Sequence, residues 1–199
     1  MVVSVTAQAV LGFWFLPTSD HGHSHFRAEW FGKDDAFDAV IRTRFAAEVE
    51  AALNGQLPLA DDPEEHLAHI LLLDQFTRNI FRNTPRAFAG DAQALALANG
   101  LVNQGRDLTL PPFMRWFVYL PFEHSELLVD QERAVELFTH LRADAQTLTD
   151  AAFDGALDYA IKHRNVIARF GRFPHRNAIL GRLSTPEELK FLSQPGSSF

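Results

Sequence analysis

Apolar residues recur at every third or fourth position along almost the whole chain, which is the period of an α-helix with one buried face. Alternating runs of β-branched residues are missing, so the pattern predicts no strand. The expected fold class is all-α: antiparallel helical hairpins with short connections and no β-sheet. The predicted helices cover approximately residues 4–13, 34–54, 62–81, 91–104, 111–121, 127–141, 149–170 and 185–192, with short helical turns near 85–88 and 174–180.

Capping residues and prolines mark the ends of several predicted helices. Segments 62–65 and 185–188 each give an N-cap residue, a proline at the first helical position and a glutamate at the third, which is the pattern of a capping box. Asp91 is the predicted N-cap of the helix that follows it. Pro121 is expected to break the aromatic helix that precedes it. Gly171 is expected to end the long helix before it.

The length of 199 residues and the apolar content of 47% predict one globular domain with a sizeable core. We place this domain at residues 1–192 and a loose tail at residues 193–199. The first basic residue is Arg27, which argues against a signal peptide, and no apolar run approaches the roughly 18 residues of a membrane span. We therefore expect a cytoplasmic protein with no membrane partner. The absence of cysteine excludes disulfides, cysteine–zinc sites and iron–sulfur clusters.

Charge is unevenly distributed along the chain. The net charge of -7 argues against a general nucleic-acid binder, so no nucleic-acid partner is predicted. Residues 159–182, however, contain six basic side chains and no acid. Five of these six are arginines, which pair with carboxylate or phosphate through two parallel hydrogen bonds more readily than lysine does.

Polar residues intrude into apolar helical patterns in three stretches, at residues 70–91, 117–126 and 163–177. Charges mixed so closely with apolar residues need partners, because an unpaired buried charge costs several kcal/mol. Asp74, Glu123 and Glu126 are the obvious counter-charges, and the arginines outnumber them. The excess predicts an anion-binding pocket, whereas complete pairing would make the same residues a structural cluster. The predicted ligand-binding residues are Asp74, Arg78, Asn79, Arg82, His124, Glu126, His163, Arg169, Arg172, His175, Arg176 and Asn177.

Other motifs carry less weight. His21, His23 and His25 alternate in a loop as metal ligands can, but only Asp20 lies near them, and a solvated loop is the preferred interpretation. No metal site and no cofactor are predicted. A phosphate-binding loop, a dinucleotide-binding glycine motif and a hydrolase nucleophile elbow are all missing.

Three long motifs carry the polar stretches: LDQFTRNIFRNTPRAFA at 73–89, YLPFEHSE at 119–126 and FGRFPHRNAILGRLST at 170–185. They resemble the motifs of the bacterial domain-of-unknown-function 924 family. The resemblance implies an all-α fold similar to tetratricopeptide-repeat domains, and it implies no assigned activity. Thr77 stands where the family pattern has proline, so the third helix is expected to continue without a kink. Glu123 stands where the pattern has methionine, which adds an acid beside His124 that could neutralise part of the pocket and so weakens the prediction of an anion site.

Three functions remain open from the sequence. The first is a binding module whose pocket of arginine, histidine and asparagine holds an anionic small molecule or a peptide. The second is an enzyme in which His124 or His163 acts as acid or base, oriented by Glu126 or Asp74, while arginines stabilise negative charge. The third is a structural or protein-interaction domain whose polar cluster only holds the fold together.

Overall fold

The computed structural model describes residues 3–23, 25–144, 147 and 150–197 of the chain, and within these ranges it contains helices and no strand. The predicted all-α class is therefore confirmed. The likeness to tetratricopeptide-repeat domains stays a prediction. The helices are α1 (Val5–Trp14), α2 (Asp35–Leu53), α3 (Pro63–Ile70), α4 (Thr77–Ile80), α5 (Asp91–Asn103), α6 (Pro112–His124), α7 (Leu128–Ala143), α8 (Ala152–Phe170) and α9 (Pro186–Leu192).

Shorter helical pieces connect these helices. A π-helical segment, Leu71–Phe76, joins α3 to α4 without a break. The 3₁₀ turns are Ala28–Trp30, Pro85–Phe88, Asp107–Thr109 and Pro174–Arg176. The predicted start of the long helix at Thr149 lies outside the described residues, as do residues 198–199 of the predicted tail. None of the helices in the described part of the chain is long and apolar enough to cross a membrane.

The clearest sequence signals at helix ends are confirmed. Asp34 caps α2 by accepting hydrogen bonds from the next backbone N–H groups. Thr185 and Glu188 form the predicted capping box at the start of α9, with each side chain accepting a backbone N–H of the other residue. Gly171 ends α8 in the left-handed region at φ 67°, where a glycine has no steric penalty.

Three details predicted at helix ends are wrong, and in two of them a tertiary contact takes the expected capping carboxylate. Asp62 does cap α3, but Glu65 does not complete a capping box, since its carboxylate accepts from the backbone N–H of Ser4 instead. Gly90, rather than Asp91, is the N-cap of α5. Pro121 lies inside α6, which continues to its end at residue 124. A proline removes only one backbone hydrogen bond, and burial of the last turn of α6 keeps the helix intact.

The third predicted helix continues as expected from residue 63 to residue 80, but it widens in the middle. All six residues of Leu71–Phe76 are buried in the π-helical segment. The hydroxyl of Thr77 donates to the carbonyl of Leu73 at 2.8 Å, just where α4 begins. A π-helical segment adds one residue to a turn, so side chains around it leave the usual helical register. Asp74 and Gln75, which lie within this segment, are both buried.

The core is an aromatic cluster in which α6 is the central helix. Nearly every side chain of α6 is buried, including Phe117 and Phe122. Trp14 of α1 lies edge to face against Phe117, with ring centroids 5.5 Å apart. Helix α5 approaches the π-helical segment so closely that a Cβ atom at Gly90 would overlap the backbone carbonyl of Leu73. This approach brings the first turn of α5 beside the helix that carries the first polar stretch.

Candidate functional site

A cavity of about 280 Å³ lies where the three polar stretches meet, and we call it the arginine cavity. Its walls come from the α1–α2 connection, α4 and the turn after it, the end of α6, the middle of α8 and the 3₁₀ turn that follows α8. Predicted residues that line it are Arg78, Asn79, Arg82, His124, His163, His175 and Arg176. The remaining lining residues are Trp30, Phe31, Gly32, Gln75, Asn83, Ala87, Phe88, Leu120 and Ile179.

Asp74 lies behind the cavity wall and is completely buried. Its carboxylate accepts from Nε2 of Gln75 at 2.6 Å and from Nδ1 of His124 at 2.7 Å, and it lies 3.2 Å from the guanidinium of Arg78. Burial by itself would raise the pKa of Asp74, but Arg78 and His124 together lower that pKa well below its usual range. The carboxylate therefore stays ionised and orients both neighbouring side chains.

His124 presents one ring nitrogen to the arginine cavity. Burial, and next the positive charge of Arg78, lower the pKa of His124 below its ordinary value, so the imidazole is neutral near pH 7. Because Asp74 is ionised, the proton of the neutral ring lies on Nδ1 and is donated to this carboxylate. Nε2 then carries the lone pair of the ring, and His124 lines the cavity.

Arg78 and Arg176 share one carboxylate. Asp91, the first residue of α5, accepts from Arg78 at 2.9 and 3.2 Å and from Nη1 of Arg176 at 3.3 Å. The Arg176 guanidinium also lies 4.6 Å from the ring centres of Phe88 and Phe173, and the residue is only 6% exposed. Its Nε is buried and has no hydrogen-bond partner among the described residues. Burial, and next the charge of Arg78, lower the pKa of Arg176 to about 10.

Arg82 and Asn79 share a carboxylate that the sequence analysis missed. Asp38 of α2 accepts from Arg82 at 2.7 and 2.9 Å and from Asn79 at 2.7 Å, and it is buried. A signal for it was available in the sequence. Asp38 precedes Ile41 by three positions and Phe45 by seven, so it lies on the buried stripe of α2. A carboxylate on such a stripe needs a buried cation or amide as its partner.

Glu123 and His163 form a buried pair in which Nδ1 of His163 lies 3.0 Å from the Glu123 carboxyl and 2.9 Å from the carbonyl of Tyr159. Burial raises the pKa of Glu123 to about 8, with a smaller contribution from the negative charge of Asp74. Burial also lowers the pKa of His163 to about 3 and that of His175 to about 4. The raised pKa of Glu123 favours its uncharged form at neutral pH, in which the carboxyl does not neutralise the cavity's arginines.

Besides Asp74, four predicted binding residues do not line the arginine cavity, so the structure brings seven of the twelve predicted residues together there. The four residues are Glu126, Arg169, Arg172 and Asn177. Glu126 contacts Arg182 and the Phe173 backbone N–H. Arg169 pairs with Glu187, and Arg172 pairs with Glu188. Asn177 contacts Ser184, Glu188 and Arg182. These contacts fasten the segment after α8 to α9 and to the end of α6.

The predicted excess of arginine over acid is also wrong. Each predicted arginine has a carboxylate partner, because acids that the sequence analysis did not count supply the missing charges. These acids are Asp38, Asp91, Glu187 and Glu188. Pairing does not close the cavity, however, which keeps its volume of about 280 Å³. Within the described ranges, no group of three or more His, Asp or Glu side chains is arranged to hold a metal ion.

Comparisons with known proteins agree with the all-α fold. A family described as "Bacterial protein of unknown function (DUF924)" matches residues 10–196. A solved structure of a protein of unknown function from Agrobacterium tumefaciens is 38% identical, with a TM-score of 0.75. The match covers 94% of this chain and 96% of that one. No curated protein matches the chain.

Proposed function

Since this chain belongs to the bacterial DUF924 family of unknown function, we propose its function from the geometry of the arginine cavity alone: it binds a small molecule that carries a carboxylate or phosphate group. The observation that supports this proposal is the incomplete bonding of Arg176. Arg176 is only 6% exposed, its guanidinium makes one hydrogen bond, 3.3 Å long, and its buried Nε has no partner in the described chain. A buried donor left unbonded costs about 1–3 kcal/mol, and more when it is charged.

An anionic oxygen in the cavity would accept from the Arg176 guanidinium and would lie near Arg78 and His124, which line the same cavity. Arginine suits this role because its planar group places several N–H donors in one fork. Asp74 and Asp91 hold the donors in position before any ligand arrives, so little side-chain ordering remains to be done on binding. A cavity of about 280 Å³ fits a small molecule or one group of a larger molecule rather than a folded peptide.

The positive and negative charges around the arginine cavity balance without a ligand. Arg78 and Arg176 face Asp74 and Asp91. A bound anion would add one negative charge to a neutral set, which favours uptake of a proton by a neutral neighbour. His124 is a neutral neighbour that lines the cavity, and its Nδ1 is held by Asp74. We therefore expect anions to bind more tightly at pH 6 than at pH 8.

Replacing Arg176 with methionine will remove anion binding and leave the stability of the unliganded protein within about 1 kcal/mol of the wild type. Asp91 keeps Arg78 as its partner in the variant, so no buried charge is left alone. Phosphate and a panel of small carboxylates are added in a thermal-shift assay at pH 6 and pH 8. A ligand at a hundred times its Kd stabilises the wild type by about 2.7 kcal/mol, which raises Tm by roughly 5–10 °C.

The matched control is Arg169→Met, because Arg169 is half exposed and pairs with Glu187 outside the cavity. This variant should keep the full ligand-induced shift. A wild type that no anion stabilises would contradict the proposal, and so would an Arg176→Met variant that responds like the wild type. A loss of 3 kcal/mol or more in unliganded Arg176→Met would indicate that Arg176 serves the fold instead.

The pair formed by Asp74 and His124 favours catalysis as a second candidate function. An ionised carboxylate at 2.7 Å fixes the ring, and the neutral imidazole turns a lone pair toward the cavity, which is the arrangement of a general base. Such a base could activate a water molecule against an ester or phosphoester, with Arg78 and Arg176 stabilising the negative charge that develops. The substrate would be an ester of a small anionic acid.

Replacing His124 with glutamine should lower any hydrolytic activity at least about a hundredfold, since general-base catalysis contributes roughly 10²–10⁴ in rate. A panel of carboxylic and phosphate esters is screened with the wild type and this variant, while phosphate binding is measured in parallel. His66→Gln is the control, because His66 lies in α3 away from the cavity. Activity that survives in His124→Gln, or that is absent from the wild type across the panel, would remove this candidate and leave the binding function.

A further inference from the structure

A second and larger cavity lies against the arginine cavity, and we call it the apolar cavity. Its volume is about 840 Å³, within the range of sites for drug-sized ligands. Phe26, Phe31 and Trp116 form one wall, with ring centroids 5.4 Å apart for Phe31 and Trp116 and 6.1 Å apart for Phe26 and Phe31. Small residues at the start of α8, among them Gly155 and Ala156, also line this cavity.

The two cavities meet at the same side chains. Phe31, Leu120, His124 and His163 line both of them. His124 and His163 come from α6 and α8, and their ring centroids lie 6.4 Å apart. A ligand group in the arginine cavity is therefore separated from a group in the apolar cavity by no more than these side chains.

The cavities differ sharply in chemistry. Arg78, Arg82 and Arg176 line the arginine cavity, whereas no arginine or lysine of the described chain lines the apolar one. Phe26 is 47% exposed and Phe31 is 50% exposed, so two large rings face open space on the apolar side. The carboxyl of Glu123, which also lines the apolar cavity, is uncharged at neutral pH because burial raises its pKa to about 8. The other carboxyl in the lining belongs to Asp150, which accepts from the backbone N–H of Ala152 at the start of α8.

We propose that the ligand is an amphiphile, with an anionic head group in the arginine cavity and an alkyl or aromatic body in the apolar cavity. The inference rests on the proposed anion-binding function and adds the chemical class of the rest of the ligand. Burial of the body against the exposed aromatic wall contributes affinity, while the arginines fix the direction in which the molecule lies. The head joins the body beside His124 and His163.

Straight-chain alkanoates from acetate to decanoate test this inference in calorimetric titrations with the full chain, kept below their micelle concentrations. Affinity should rise on the order of threefold to fourfold for each methylene that the apolar cavity buries. Inorganic phosphate serves as a head group without a body, and 1-octanol as a body without a charge. Octanoate should bind at least tenfold more tightly than either of them.

Gly155→Leu fills the apolar cavity and leaves the arginine cavity unchanged. A Cβ at Gly155 would have no atom within 4 Å, so the new side chain enters open space. The variant should bind phosphate like the wild type and bind decanoate at least tenfold more weakly. Gly100→Leu is the matched control, because Gly100 is also helical with no atom within 4 Å of a Cβ but lines neither cavity. The control should show the wild-type dependence on chain length.

The outcomes separate the two proposals. Binding of phosphate and acetate without any gain from longer chains would overturn the amphiphile and leave the anion site standing. No binding of any anion, phosphate included, would overturn both. If 1-octanol binds as tightly as octanoate, the apolar cavity holds the ligand body but the anionic head group adds no affinity. This result would overturn the proposal of an amphiphilic ligand. Unchanged decanoate binding in Gly155→Leu would remove the apolar cavity from the site.

Discussion

Replacing Asp74 with asparagine will destabilise the protein by about 3–5 kcal/mol at pH 7. The Asp74 side chain is completely buried, and three donors from Gln75, Arg78 and His124 converge on it. Asparagine has nearly the same volume, so the loss measures charge and hydrogen bonding rather than a cavity. The amide removes the charge that balances Arg78 and places an NH₂ group among donors. Urea denaturation of the wild type and the variant gives the free-energy difference.

The difference between Asp74→Asn and the wild type should narrow in acid. The pKa of Asp74 is lowered in the folded state, so its contribution is fully present above the unfolded-state value of about 4. That contribution is lost as the pH falls from there through the low folded-state pKa. Asp158→Asn is the control, since Asp158 forms an exposed pair with Lys162 and should lose less than about 1 kcal/mol. A loss below 1 kcal/mol in Asp74→Asn would contradict the buried network.

The helices could be predicted because their signals are local. One amphipathic period places the buried face of α1 at Ala7, Val10 and Leu11, and a capping pattern within four residues places the start of α9. The widening of the third helix over Leu71–Phe76 could not be predicted in this way. The π-helical segment has one extra residue in a turn, and it begins in a continuous apolar run. Such a run buries apolar side chains whether the turn is α-helical or π-helical, so the sequence does not distinguish the two.

The candidate site was predicted in part, and the missing part is long-range. The sequence indicated that Arg78, His124 and Arg176 would meet, because each stands among apolar residues where a polar group needs a partner. It did not indicate which acids would meet them. Asp91 and Arg176 are separated by 85 positions, and a capping role explained Asp91 equally well from its neighbours. Pairing between distant charges depends on how the helices pack, which local patterns do not contain.

The arginines that line the arginine cavity pair with carboxylates that do not line it. This explains why the ion pairs leave the cavity open. Asp38 binds Arg82 from α2, while Asp91 binds Arg78 and Arg176 from α5. Neither acid lines the cavity itself. Arg176 and His124 still line the cavity although both are paired with carboxylates, so pairing and binding are compatible here.

Replacing Glu123 with glutamine will stabilise the protein at neutral and alkaline pH, which is the opposite of the effect at Asp74. The pKa of Glu123 is raised to about 8 from a value of 4.5 outside the fold. A group with a raised folded-state pKa contributes its stability fully below the unfolded value and loses it as the pH rises through the folded value. Between about pH 4.5 and pH 8, the wild type should therefore lose on the order of 4 kcal/mol relative to the variant.

Glutamine suits the comparison because it keeps the size of the side chain and the acceptor for Nδ1 of His163 while it cannot ionise. The free energy of unfolding is measured in urea from pH 4.5 to pH 9 for both proteins, and the difference between them is plotted against pH. The two proteins should be nearly equal at pH 4.5 and should diverge up to about pH 8. Glu136→Gln, an exposed glutamate paired with Arg133, should give a flat difference. A flat curve for Glu123→Gln as well would mean that the buried carboxyl ionises normally, and its charge would then face the cavity's arginines after all.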